Sequence, residues 1–246
     1  MLSKSDKAVK IREGQSLKTD SLETYIRNAM ELPKAHMEVL QFPSGYSNLT
    51  YLLKFGKKEL VLRKPPQGVK IKSGHDMGRE FRILSGLHPL YNKVPQPFLF
   101  SDELSIIGTP FYIMERMHGV IFRGHTPKDQ LPDLNQMRKL SEAFVSTLVE
   151  IHSFNYHAAG LENLGRPDGY VKRQIEGWTK RYIKAKTDEF KPLEKVYTWL
   201  NKNIPTEKRS ALIHNDFKYD NSVSYTHLRA HETREDLVCR LLVEKK

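Results

Sequence analysis

Up to about residue 115 the apolar positions switch between helical and alternating spacing. Ser21 to Leu32 reads as a short helix, and Met37 to Leu40 leads into a strand that breaks at Pro43-Ser44-Gly45. Leu49 to Phe55 and Glu59 to Arg63 are strand-like runs split by Gly56-Lys57-Lys58, a glycine-bearing turn suited to a hairpin. Asp76 to Leu87 has helical spacing, with Phe81, Leu84 and Leu87 on one face, and Pro95 and Pro97 end that element. Phe98-Leu99-Phe100 is a short apolar run that meets a charged turn at Ser101-Asp102-Glu103, and Phe111 to Met114 follows as another strand. From Leu134 onward the period is near 3.6, with Leu140, Phe144, Leu148 and Ile151 on one face of a long helix ending near His152. Tyr170 to Lys186 and Leu193 to Asn203 are two further helices, the second closed by Pro205. A strand-bearing half followed by a helical half predicts an α+β chain in two lobes, with a ligand cleft between them.

Composition adds the class of partner. Of 246 residues, 39% are apolar and 28% charged, an ordinary globular balance with enough chain for a sizeable core. No run of about 18 apolar residues occurs, and the polar start Met1 to Asp6 lacks the pattern of a signal peptide. The cytoplasm is the expected compartment, without a membrane. The single cysteine, Cys239, excludes an internal disulfide and a cysteine-based metal site. A net charge of +11 suits an anionic ligand such as a nucleotide or a thioester cofactor. The basic residues are scattered and no nucleic-acid-binding motif accompanies them, so nucleic acid is not the expected partner.

The strongest chemical signal is Leu212-Ile213-His214-Asn215-Asp216-Phe217-Lys218-Tyr219-Asp220-Asn221, where His-x-Asp is followed five residues later by Asn. That is the spacing of a kinase catalytic loop. A carboxylate beside the attacking hydroxyl orients it and accepts its proton, while an amide oxygen one short loop later reaches a magnesium ion on the phosphates. The competing reading is a polar turn closing a strand. Other parts follow in the right order. Pro43-Ser44-Gly45-Tyr46-Ser47-Asn48 lies between two strands, where small residues let backbone N–H groups approach phosphate oxygens. Val61-Leu62-Arg63-Lys64 offers a cation at the end of the next strand. Alternation puts Arg63 on the face of Val61 and Lys64 on the other, and Arg63 is preferred with Lys64 as the alternative. Glu80 lies on the next helix, as a surface carboxylate or as the partner of that cation, and Phe111 to Gly119 reads as an ordinary strand and turn or as the place where backbone groups of Glu115 to Met117 bond an adenine edge.

These segments, together with Arg79-Glu80-Phe81 and Leu148-Val149-Glu150-Ile151-His152, resemble the aminoglycoside/choline-kinase-like phosphotransferase family, and in particular the kinase-like domains related to those fused to acyl-CoA dehydrogenases. The likeness covers roughly residues 20 to 221. It implies the two-lobed protein-kinase-like fold, with ATP and Mg2+ as cofactors and the hydroxyl of a small molecule as acceptor, a hydroxyacyl thioester by likeness. It also implies Asp216 as catalytic base, Asn221 as metal ligand, Arg63 as phosphate clamp with Glu80 as its partner, and Ser44, Gly45, Ser47, Asn48, Glu115 and Met117 as nucleotide-binding positions. Arg rather than Lys at the clamp suits a bidentate grip on phosphate.

One stretch departs from the family, which continues after Asn221 into a strand and a second metal-binding Asp. No such segment is legible here, and the one later Asp, Asp236, sits in what reads as an amphipathic helix. Val223 to Thr233 instead reads as the in-frame translation of a transposase-type sequencing adapter, with Leu237 to Leu242 matching its flanking constant sequence. The expected organisation is therefore an N-lobe over 1–117, a partial helical C-lobe over 118–221 and a non-native tail over 222–246. A chain without the second Asp is expected to show little phosphotransfer. The alternative is a non-catalytic nucleotide- or acyl-CoA-binding module.

Overall fold

A computed structural model describes residues 7–43, 48–66, 75–206, 209–224 and the backbone of 237–239. Helix α1 (Thr19–Ala29) precedes strands β1 (Met37–Gln41), β2 (Leu49–Phe55) and β3 (Lys58–Lys64). Then come α2 (Met77–Leu87), β4 (Pro97–Ser101), the single turn α3 (Leu104–Ile107) and β5 (Phe111–Glu115). The helical half holds α4 (Leu134–Ser153), α5 (Tyr170–Ala185) and α6 (Lys191–Lys202), followed by the short strands β6 (Ser222–Ser224) and β7 (Leu237–Cys239).

The first five strands form one antiparallel sheet in the order β1-β2-β3-β5-β4. Both of its faces are covered, which is why β2 and β3 read as nearly continuous apolar runs rather than clean alternation. On the outer face Leu22 and Ile26 of α1 pack with Tyr51, Leu53, Phe55, Leu60, Leu62, Phe111 and Ile113. On the inner face Leu52, Val61, Tyr112 and Met114 meet Met77, Ile83, Leu84 and Leu87 of α2. Ile151, Leu161 and Leu212 of the helical half join that same inner cluster, so the two halves share one core. Burying each such aliphatic side chain is worth about 1.5–3 kcal/mol.

Local chemistry sets the element ends. The hairpin turn holds two residues, Gly56 and Lys57, because Lys58 pairs with Phe55 in the ladder, where the sequence reading placed Lys58 in the turn. Gly56 sits at φ +61°, the left-handed region that the first central position of such a turn requires. Asp76 caps α2 by accepting the Arg79 N–H at 2.8 Å, and α4 opens on a full capping box of Asp133 and Gln136. The charged turn at residues 101–103 leads into α3, which the sequence reading did not expect. Four residues are too few to show a period, and Gly108 at φ +80° stops the turn.

The strand after Asn221 is a correction. Ser222–Ser224 is buried and antiparallel to Leu237–Cys239, with Ser222 opposite Cys239 and Ser224 opposite Leu237. The sequence reading expected no strand at 222–224 and a helix around 234–238. Pairing between distant segments overrides the local spacing that suggested the helix. Asp236 itself lies outside the described residues.

Candidate active site

Strand alternation turns Arg63 to the inner face of the sheet, level with Thr50 on β2 and Tyr112 on β5. Glu80 faces it from the first turn of α2. Arg63 Nε lies 3.3 Å from Glu80 Oε2, and the two side chains are only 5% and 6% exposed. A buried ion pair holds only when its remaining polar atoms are satisfied. Here Glu80 Oε1 accepts from Asn48 Nδ2 at 2.9 Å, and Oε2 accepts from the Tyr112 hydroxyl at 2.8 Å. The Asn48 Oδ1 is in turn 2.9 Å from His75 Nδ1. Lys64, the alternative cation, points to the outer face beside the α1 core. It is almost wholly buried, and loss of solvation holds its ammonium pKa below the ordinary lysine value. Of the two candidates, Arg63 is therefore the one paired with Glu80.

The second cluster comes from the His-x-Asp segment. A 3-10 turn at Tyr219–Asn221 brings Asn221 back on Asp216, where its Nδ2 donates to the Asp216 carbonyl at 2.9 Å and to Oδ2 at 2.8 Å. Lys218 Nζ stands 2.9 Å from the same Oδ2, and the Asp216 N–H donates to His214 Nδ1 at 3.2 Å. Partial burial pushes the Asp216 carboxyl up. Hydrogen bonds from Lys218 and Asn221, with the neighbouring charges of Lys218 and His214, outweigh it and hold the pKa below the usual carboxylate range. The loop rests on α4 through Phe144, whose ring centroid is 4.2 Å from that of Phe217 and 4.4 Å from that of Tyr219. Leu212 and Phe217 also touch the inner cluster that contains Val61 and Tyr112, so Arg63 and Asp216 belong to the same side of the sheet.

The segment joining the halves is held from both directions. The Glu115 N–H donates to the Gln96 carbonyl at 2.8 Å, and Glu115 Oε2 accepts the Gln96 N–H at 3.2 Å. Arg116 pairs with Glu59 at 2.5 Å, and Met117 is half-buried. Val120 and Ser224 exchange two backbone hydrogen bonds of 2.9 and 2.8 Å, tying this linker to the strand after the His-x-Asp loop. Glu150 of α4 adds a further link, accepting from Tyr91 and Lys93 at 2.8 and 2.9 Å.

Arg63 with Glu80 and Asp216 with Asn221 are thus the predicted residues that the fold brings together as pairs. Asn48 joins the first pair through its side chain. Ser44, Gly45 and Ser47 lie outside the described residues. Sequence reasoning passed over Tyr112, His75 and Lys218. Tyr112 counted as one more apolar strand position, and its place opposite Arg63 follows from the pairing of β5 with β3. Lys218 stood inside the quoted motif.

Among the described residues no three His, Cys, Asp or Glu side chains cluster as a metal site. Asp216 and Asn221 offer one carboxylate and one amide oxygen. Such a set fits a magnesium ion, which takes one or two protein oxygens and draws the rest from phosphates and water. Among the described residues no helix is long and apolar enough to cross a membrane.

Residues 38–224 match the model of the APH phosphotransferase enzyme family. The chain is 35% identical over 216 residues to mouse acyl-CoA dehydrogenase family member 10, and 36% identical over 210 residues to human acyl-CoA dehydrogenase family member 11. These matches take in 87% and 82% of this chain but 20% and 26% of the relatives, so the chain spans a fifth to a quarter of their length. A crystal structure from Ralstonia eutropha, of a protein designated an aminoglycoside phosphotransferase, superposes with a TM-score of 0.74 at 27% identity. That superposition covers 92% of this chain and 64% of the other. The five-stranded antiparallel sheet, its helices and the matched segment through Ser224 together make the chain a member of the APH phosphotransferase family, with the kinase-like fold of that family.

Proposed function

We propose that the intact protein transfers the γ-phosphoryl group of ATP to a hydroxyl on a small molecule, with residues 1–117 as the nucleotide lobe and 118–221 as the helical lobe. The observation that carries the reading is the pairing of two dyads on one core, Arg63 with Glu80 and Asp216 with Asn221. Arg63 holds phosphate oxygens, and Glu80 fixes its guanidinium. Asp216, kept ionised by Lys218 and Asn221, orients the acceptor hydroxyl and takes up its proton. The acceptor oxygen bonds to phosphorus, the bond from phosphorus to the β–γ bridging oxygen breaks, and ADP leaves. Asn221 would hold magnesium through its amide oxygen, and that ion would neutralise charge on the phosphates. Small residues at Ser44, Gly45 and Ser47 are positioned in sequence to approach the phosphates, and the linker at Glu115 to Met117 to receive the adenine.

The relatives' acyl-CoA dehydrogenase names favour a hydroxyacyl thioester as acceptor, and the basic surface of α5 suits an anionic molecule. A second reading rests on a separate observation. We take residues 222–246 as a non-native tail, whose one Asp, Asp236, stands in a sequence context unlike the family's second metal-binding Asp. This polypeptide is then a nucleotide-binding module with little turnover. Calorimetry with Mg-ATP beside a phosphotransfer assay tests both: binding without turnover is the expected result. Robust turnover removes the module reading, and no binding removes both.

A further inference from the structure

Asn48 stood in the sequence as a member of the phosphate loop, yet its side chain is buried and committed elsewhere. An ionised carboxylate only accepts, so the group of Asn48 that faces Glu80 Oε1 at 2.9 Å is its NH2, and the amide orientation follows from chemistry. The amide oxygen then faces His75 Nδ1 at 2.9 Å, so that nitrogen carries the proton. On the other side the Tyr112 hydroxyl donates to Glu80 Oε2 at 2.8 Å, the same oxygen that faces Arg63 Nε. Glu80 is therefore pinned at both oxygens by neutral donors, Asn48 immediately before β2 and Tyr112 on β5, in addition to the cation it serves.

We infer that Asn48, Tyr112 and His75 are positioning residues of the phosphate clamp: they fix the Glu80 carboxylate, and through it the direction in which Arg63 presents its guanidinium. His75 acts at one remove, by locking the amide of Asn48. The side chains of Asn48 and Tyr112 are engaged on Glu80, and that of His75 on Asn48. A fork donor such as guanidinium grips phosphate well only when its plane is set beforehand, because a freely rotating side chain loses conformational freedom on binding. The network supplies that setting within the sheet, before any ligand arrives. This rests on the reading of Arg63 as the clamp.

The test separates phosphate grip from adenine binding. Calorimetric Kd values for Mg-ATP and for adenosine are measured on the whole chain, for the parent and for Tyr112→Phe, Asn48→Leu, His75→Ala and Arg63→Met. Tyr112→Phe removes one hydroxyl and keeps the ring in the core, so it stays informative if a larger change unfolds the protein. The parent is expected to bind ATP more tightly than adenosine, and Arg63→Met to erase the difference. Tyr112→Phe and Asn48→Leu are each expected to weaken ATP about three- to tenfold, the scale of one typical hydrogen bond felt through the clamp, with adenosine unchanged. His75→Ala shows a smaller loss of the same kind. ATP affinity unchanged by Tyr112→Phe and Asn48→Leu, while Arg63→Met loses it, overturns the positioning role alone. ATP and adenosine weakening together in those variants also overturns it, as general damage to the fold. A parent chain that binds ATP no better than adenosine overturns the clamp reading, and this inference with it.

Discussion

Glu80 faces three partners at once, Arg63, Asn48 and Tyr112, in a setting nearly closed to water. Removing one member of a buried ion pair leaves the other charge desolvated and uncompensated, which is far worse than never having had the pair. Glu80→Leu is therefore expected to lower the free energy of unfolding by about 3–5 kcal/mol in a urea titration. A loss below about 1 kcal/mol, the range of an exposed pair, would mean that Arg63 finds water or another partner there. At Asp216 the direction of the pKa gives a second prediction. Its folded value lies below the unfolded one, so its ionised form stabilises the fold above the unfolded pKa, and that contribution is lost as pH falls through the folded value. Lys218 is a principal cause of the depression. Lys218→Met should move the Asp216 titration midpoint upward in a carboxyl-carbon NMR pH series, and an unmoved midpoint would show that the 2.9 Å contact carries no weight in solution.

Helix α2 must place Glu80 to within a fraction of an ångström, and its far end shows how. A Cβ added at Gly86 would stand 2.5 Å from the Ala159 carbonyl oxygen and 3.1 Å from Leu161 Cδ2, so the helix lies against backbone of the helical half with no room for a methyl group. Alanine is the better helix former by about 1 kcal/mol, and propensity alone predicts that Gly86→Ala stabilises. Packing predicts the reverse, a loss of about 1–3 kcal/mol, and the sign of the shift in the urea midpoint decides between them. The His-x-Asp segment rests on α4 in the same manner. Phe144→Ala should speed hydrogen exchange at residues 215–221 while leaving β2 and β3 unchanged, and equal rates in that segment would deny the ring contacts a positioning role. The contrast with what the chain discloses on its own is physical. Strands β2, β3 and β5 and helices α2 and α4 were legible because each carries a long apolar pattern, and alternation alone set Arg63 and Lys64 on opposite faces. Helix α3 is too short for a period. The pairing of Ser222–Ser224 with Leu237–Cys239 joins segments whose partners no local window contains. Tyr112 and His75 acquire meaning only once the fold sets Tyr112 on Glu80 and His75 on Asn48, contacts between segments far apart in the chain.

At the scale of the molecule, one apolar core continues from the inner face of the sheet into the helical half, and the two dyads flank it. Polar ties cross the same boundary as well: Glu150 with Tyr91 and Lys93, and the Arg79 guanidinium on the Leu164 carbonyl. A continuous core makes the relative placement of Arg63 and Asp216 a property of the fold rather than of a ligand. The account stands on that shared placement: one nucleotide and its metal must lie within reach of both dyads. Paramagnetic broadening by Mn-ATP, read on assigned backbone amides, tests it directly. The expected result is joint loss of signal at Arg63, Glu80 and the run from Asp216 to Asn221, with Lys180 and Arg181 on the exposed face of α5 retained. Broadening confined to one dyad, or spread over exposed basic residues while both dyads keep their signals, would contradict the account.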